Sequence, residues 1–143
     1  MSKSTLKTYI KNTADSVYSK YRRLQEADRF GYVKCVTCGK RMYWTDAEAG
    51  HYEGRETRTT RYDDQNVHPQ CTKCNCFHEG RKPQYTLYLM KRYGNHIVEE
   101  IANRARATWK WVIVGGDGID FFNIKEAVKE WRAEIEKMYK IKG

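Results

Sequence analysis

Four of the five cysteines fall into two Cys-x-x-Cys pairs, Cys35/Cys38 and Cys71/Cys74, with thirty-two residues between the pairs. Zn²⁺ takes four thiolates tetrahedrally at about 2.3 Å, and a two-residue gap lets both sulfurs of a pair face one ion. Gly39, directly after Cys38, gives the first pair the shape of a zinc knuckle. A closed shell of four thiolates leaves no position for water, so the Zn²⁺ expected on Cys35, Cys38, Cys71 and Cys74 is structural. A disulfide framework fits an odd cysteine count poorly, and disulfides do not persist in a reducing cytosol. Cys76 is left over and receives no role.

Between and just beyond the pairs, His51 is followed by Asn66 fifteen residues on and by Asn75 nine residues after that. This is the spacing of HNH-type sites, and the residue types suit phosphodiester hydrolysis. A neutral imidazole can take a proton from water near pH 7. A hard cation on oxygen or imidazole ligands can stabilise the charge that develops on the phosphate. His51 is therefore the expected general base. Asn75 is expected beside it with Mg²⁺ or Mn²⁺, and His78 and Glu48 are further candidate ligands, with Glu79 near. Asn66 completes the catalytic pattern, its expected part being to tie the loop. His68 is expected beside the strand rather than in the site. General HNH proteins carry a metal-binding Asp just before the active His. Gly50 stands there in this chain, so Glu48 and Asp46, two and four residues earlier, or Asp63 and Asp64 bending in from the loop, are the candidates for that carboxylate. Arg55, Arg58 and Arg61 lie on the 53–65 loop, where guanidinium groups match phosphate oxygens in pairs. Tyr52 and Tyr62 are of a type that stacks on an unpaired base or covers the zinc, whereas Trp44 reads as packing.

The linked segments Cys35-Val36-Thr37-Cys38-Gly39, Ala49-Gly50-His51-Tyr52 and Asn66-Val67-His68-Pro69-Gln70-Cys71-Thr72-Lys73-Cys74-Asn75 resemble the NinG (Rap) recombination proteins of lambdoid phages. The likeness covers about residues 33–106, weakening through Tyr85, Leu89, Gly94, Val98 and Ile101. It implies a structure-specific endonuclease acting on branched recombination intermediates, with other recombination proteins as partners. Composition and spacing alone support only a zinc-containing DNA nuclease.

The elements that must hold these residues follow from periodicity. Leu6, Ile10, Ala14, Val17, Tyr21 and Leu24 recur at steps of three and four, predicting a basic amphipathic helix over residues 5–27. From Gly31 to Gly80 the period breaks down, predicting short strands and loops in which metal replaces a hydrophobic core. Pro83 opens a helix with Tyr85, Tyr88, Leu89 and Tyr93 on one face, and Gly94 closes it. Asn95 is placed to cap a helix with Ile97, Val98, Ile101, Ala102 and Ala105 inward. Residues 109–114 are β-prone up to a turn at 115–118, with no obvious partner strand. A last helix is predicted over 123–140. The expected fold is α+β: a small zinc-stapled ββα-metal (HNH-like) core at 31–82, an N-terminal basic helix at 1–30 and a helical region at 83–143, in one globular domain.

With 27 Lys and Arg against 18 Asp and Glu, the net charge of +9 favours a polyanionic partner, because each cation set on a phosphate releases condensed counterions. Neither an apolar run long enough to span a bilayer nor a secretory leader is visible, so a soluble protein of the host cytoplasm is expected, with no membrane partner. The expected function is metal-dependent cleavage of DNA, with branched or junction DNA as substrate and a homodimer open. Three rivals remain at this level: a non-catalytic zinc-ribbon DNA-binding or regulatory module, a site-specific HNH nuclease, and an interaction adaptor with no nucleic-acid affinity.

Overall fold

The computed structural model describes residues 2–107, 111–114, 117–120 and 123–143. The Ser2 hydroxyl accepts the Thr5 N–H at 3.1 Å and opens helix α1, Lys3–Tyr9. One π-turn, Ile10–Ala14, joins it to α2, Asp15–Glu26. Leu6, Ile10, Ala14, Tyr18 and Arg22 are all buried, a strict four-residue repeat. An ideal α-helix of 3.6 residues per turn would rotate such a row steadily off the core. The wider π-turn takes up that drift and keeps the row facing inward. It also changes the phase expected from the sequence: Tyr18 and Arg22 are buried, while Val17 and Tyr21 pack only in part.

Strands β1, Tyr32–Lys34, and β2, Arg41–Tyr43, form an antiparallel hairpin around the first cysteine pair. A second antiparallel pair joins β3, Glu48–His51, to β4, Val67–Gln70, in the register Glu48↔Gln70 through His51↔Val67. A short π-helical segment, Lys73–Phe77, follows β4 at once. Helix α3, Lys82–Tyr93, has Pro83 in its first turn and stops at Gly94, whose φ of 104° suits only glycine. Helix α4 is Ile97–Ala105, with Ile97 and Ile101 buried. The cap expected from Asn95 is not made: the capping position is His96, which makes no side-chain capping bond.

Strand β5, Trp111–Val114, finds its partner in β6, Asp117–Asp120, the strand that sequence patterning did not reveal. Residues 109, 110, 115 and 116 of that predicted strand and turn lie outside the described residues. Helix α5, Ile124–Lys142, lies against α2 and inserts Trp131 beside Tyr18 and Tyr62, ring centroids 4.8 and 5.2 Å away. Among the described residues the result is α+β, mixed helices and three two-stranded sheets, with the first core between α1, α2 and α5. A second core surrounds the cysteines with Leu24, Val33, Met42 and Trp44, and a third joins Tyr52 to α3 and α4. Among the described residues no helix is long and apolar enough to cross a membrane.

Candidate active site and metal centre

The β1–β2 hairpin supplies Cys35 and Cys38, while the end of β4 and the π-helical segment supply Cys71 and Cys74. Their four sulfurs lie within 4.8 Å of one another. The Cys38–Cys71 Sγ–Sγ distance is 3.8 Å. A tetrahedron with metal–sulfur bonds of about 2.3 Å has edges of about 3.8 Å, so the thiols have the spacing of a tetrahedral site. This cluster could hold a metal ion such as zinc. Three of the four cysteines are buried and Cys38 is exposed.

A cleft of about 560 Å³ lies between the β3 strand and α2. Glu48, Ala49 and His51 line one side and Asp15, Ser19 and Arg23 the other, with Asn75 and Cys76 completing it. His51 ends β3, and its Nε2 lies 2.9 Å from the Arg61 carbonyl oxygen. A carbonyl only accepts, so this nitrogen carries the proton and Nδ1 keeps its lone pair. Burial pushes the imidazole pKa down to about 4, and the Arg55 and Arg61 charges add to the effect against the opposing bond to the Arg61 carbonyl. The ring is thus neutral at pH 7 and free to accept a proton.

The carbonyl that holds His51 is itself fixed. Arg61 grips both carboxylate oxygens of Asp15, at 2.8 Å for Nε to Oδ1, and donates to the Arg55 carbonyl at 2.7 Å. Tyr62 donates to Asp15 Oδ1 at 2.7 Å. Burial alone would raise the Asp15 pKa, but these bonds and the arginine charges outweigh it and hold the carboxyl below its ordinary value. Asn66 is fully buried. Its amide donates to the Glu53 and Thr60 carbonyls at 2.9 and 3.0 Å and accepts the Glu53 N–H at 2.7 Å. Asn66 therefore ties both ends of the loop after His51 and has no polar atom to spare for a substrate.

Glu48 and Asn75 come together in the lining of the cleft. Glu48 Oε1 accepts the Asn75 amide at 2.8 Å and the Cys76 thiol at 3.1 Å, and Oε2 accepts the Thr72 hydroxyl at 2.9 Å. The bond from Asn75 is the main reason the Glu48 carboxyl titrates below its usual range, against a smaller opposing effect of burial. Asn75 keeps its amide oxygen for another partner.

Several expected site residues lie elsewhere. His78 is exposed and outside the cleft, because the chain leaves the helical path there and continues through left-handed backbone at Glu79 and Arg81. Glu79 is carried away by the same break. Asp63 pairs with Arg104 at 2.7 Å and Asp64 accepts the Tyr18 hydroxyl at 2.7 Å, so neither bends in, and exposed Asp46 does not line the cleft. Arg61 is committed to Asp15 and cannot clamp a phosphate without breaking that pair. Arg55 is 62% exposed and lines the cleft. Arg58 lines the adjoining groove. Tyr52 and Tyr62 are buried, with hydroxyls bonded to Thr86 and Asp15, so neither offers a face to a base. Trp44 is packed, under the Arg23 guanidinium.

Two positions around β3 explain the departure at residue 50. A Cβ on Gly50 would sit 1.8 Å from Gln70 Oε1, and Gln70 is buried and bonded to Thr37 and the Gly80 carbonyl. A side chain at 50 would therefore run into Gln70. The Gly50 carbonyl accepts the Tyr85 hydroxyl at 2.7 Å. Tyr85 has then used its proton, so it accepts from His68 Nδ1 at 3.1 Å, and His68 Nε2 accepts the Tyr93 hydroxyl at 2.8 Å. His68 is thus a neutral, fully buried brace behind the strand, its pKa driven well down by burial first. The cleft residues that spacing could not reveal are Asp15, Ser19, Arg23 and Cys76, of which the first three come from a helix distant in sequence.

The fold and site define a mixed helix-and-sheet protein with a four-cysteine cluster that could hold a metal ion, beside a histidine-containing cleft. A family model described as Bacteriophage Lambda NinG protein matches residues 2–140, and the chain belongs to this phage protein family. Over 93 residues it is 34% identical to Protein ninG of Escherichia phage 933W. The proteins of the same name from Escherichia phage lambda and Salmonella phage P22 are 33% identical over the same length. Each alignment covers 60% of this chain and 42% of the relative, so the matched part is less than half of those proteins. No solved structure matches.

Proposed function

We propose that this protein is a metal-dependent DNA endonuclease of the ββα-metal (HNH-like) class, with a structural zinc and a preference for branched DNA. The observation that carries the reading is His51: a neutral ring, oriented by a backbone carbonyl, in a cleft that also holds Glu48 and Asn75. An antiparallel strand pair followed by a helical turn, with a histidine ending its first strand and an asparagine tying the intervening loop, supports that class.

His51 Nδ1 would accept the proton of the attacking water, and the Arg61 carbonyl would stabilise the imidazolium that forms. The proton then leaves to solvent. Glu48 and the Asn75 amide oxygen would hold a Mg²⁺ or Mn²⁺ ion, hard oxygen donors being the chemistry such ions select. When bound, that ion supplies charge stabilisation to the scissile phosphate and the departing oxygen. Arg55 would hold the neighbouring phosphate, and Cys35, Cys38, Cys71 and Cys74 would fix the hairpin and the Asn75 turn through Zn²⁺. The preference for branched DNA rests on family membership and on a basic surface, without an exposed base-stacking tyrosine in the cleft.

The test is cleavage of labelled four-way, three-strand and linear DNA by purified protein with Mg²⁺ or Mn²⁺. Metal-dependent cutting with junctions preferred is expected. Binding without cutting under every metal condition would leave a zinc-containing DNA-binding module. One linear sequence outcompeting every junction would point to a site-specific nuclease.

A further inference from the structure

The four-residue repeat that buries Leu6 through Arg22 has a companion row one position along the helix. Lys3, Lys7, Lys11, Asp15, Ser19 and Arg23 follow the same spacing, and the π-turn at Ile10–Ala14 keeps this row in line as well. Each of these residues borders a cavity, and the cavities are continuous. The active-site cleft shares Asp15, Ser19 and Arg55 with a groove of about 860 Å³, which in turn shares Lys7, Glu56 and Arg58 with a third one reaching Lys3. One trough therefore runs from His51 along α1, with the helix as one wall and the Arg55–Arg58 loop as the other.

Its charge is one-sided. Lys3, Lys7, Lys11, Arg55 and Arg58 border it against Glu56, because Asp15 is matched by Arg61. At about 1.5 Å per residue, Lys3 to Lys11 covers about 12 Å and Lys3 to Ser19 about 24 Å. Duplex DNA carries one phosphate of each strand per about 3.4 Å of helix axis, so a length of axis equal to the lysine row carries about three or four phosphates of one strand.

We propose that this trough is the track for the phosphate backbone of the nucleic-acid strand on one side of the bond to be cut, with Lys7 and Lys11 as its principal contacts. Only the identity of the cut bond rests on the nuclease reading above; the binding surface itself is independent of cleavage. The lysines act as point charges on phosphate and read no bases, so the contact is equal for all sequences. The π-turn has a functional consequence on this view, since a regular helix would swing Lys3 and Lys7 out of line with the cleft.

The test uses fluorescence anisotropy of labelled junction and duplex DNA with the full chain, at salt concentrations from about 50 to 200 mM. The double variant Lys7→Ala/Lys11→Ala is compared with Lys137→Ala/Lys140→Ala, which removes the same charge from exposed positions on α5 outside the trough. Each phosphate contact contributes about 0.9 to the slope of log affinity against log salt on duplex DNA. The trough variant is expected to lose about 1.8 from the slope, so its affinity falls about 12-fold less than wild type over that fourfold salt range. The control should keep the wild-type slope, and both variants should keep the wild-type melting temperature. Equal slopes for the two double variants would overturn the track, whether or not the protein cuts DNA. Absence of cleavage by the wild type under every metal condition, with the slope difference intact, would instead overturn the nuclease reading alone.

Discussion

At the scale of single residues, the proposed role of His51 rests on a ring held neutral by burial and oriented through Nε2 by the Arg61 carbonyl. With the pKa pushed to about 4, the ring stays deprotonated from neutral pH down to about pH 5, and cleavage should be insensitive to its titration over that range. Below it the base is protonated and the rate should fall, which a pH–rate profile read beside the NMR titration of His51 would show. A profile that breaks near 6.5 would mean an exposed, ordinary histidine. The same shift links to stability. The unfolded chain binds a proton at His51 from about pH 6.5 downward while the folded chain does not until about 4, so folding weakens as pH drops through that window. A shift of this size corresponds to about 3 kcal/mol, and the buried His68 acts in the same direction. Asn75→Ala should leave Glu48 as the sole proposed protein ligand, weakening activity in Mg²⁺ with partial rescue by excess Mn²⁺. Full activity in limiting Mg²⁺ would remove Asn75 from the metal. Gly50→Asp, which restores the residue general HNH proteins carry, should cost stability instead of adding a ligand, because its Cβ meets Gln70. Overpacking of this kind costs about 1–3 kcal/mol, readable by thermal denaturation; unchanged stability with tighter metal binding would contradict it. The gathering of His51, Asn66 and Asn75 around one strand pair and the turn after it was legible from spacing, because these elements lie close in sequence. Arg61 and the two tyrosines were not: their partners Asp15 and Thr86 lie tens of residues away, and no local pattern encodes such a pairing.

At the scale of elements, the N-terminal helix lays buried residues against the sheet and carries Asp15 to the side chain of Arg61, whose carbonyl orients His51. Periodicity marked this helix plainly, yet the π-turn remained invisible because one wide turn leaves the apolar content unchanged and alters only its phase. That is why Tyr18 and Arg22, not Val17 and Tyr21, are the deeply buried residues. His78 was misplaced for a related reason: spacing predicts a helix, but left-handed backbone at Glu79 and Arg81 ends it early. The α5 helix locks the arrangement through Trp131, which meets Tyr18, Tyr21 and Tyr62. Trp131→Ala should cost about 3–5 kcal/mol by chemical denaturation, the range for removing a buried aromatic. A loss under about 1 kcal/mol would show that α5 is dispensable for packing α2 against the site.

At the scale of the whole molecule, three modest cores and a cysteine cluster share the work of holding a short sheet in place. The two Cys-x-x-Cys pairs could be read as one site from the sequence, since each pair fixes its own local geometry. The reach of α2 across the cleft could not. One zinc per chain is expected by elemental analysis, and Cys35→Ser should unfold the centre because metal binding there is folding free energy. Well-folded, reduced protein without metal would contradict this. The central claim is that His51 performs the chemistry in a frame that does not depend on it, and the most direct measurement compares wild type with His51→Ala on a labelled DNA junction in Mg²⁺ or Mn²⁺. Cleavage should fall by about 10²–10⁴-fold, the usual worth of a general base, while zinc content, melting behaviour and DNA affinity persist. Cleavage within a few-fold of wild type would move the chemistry away from His51.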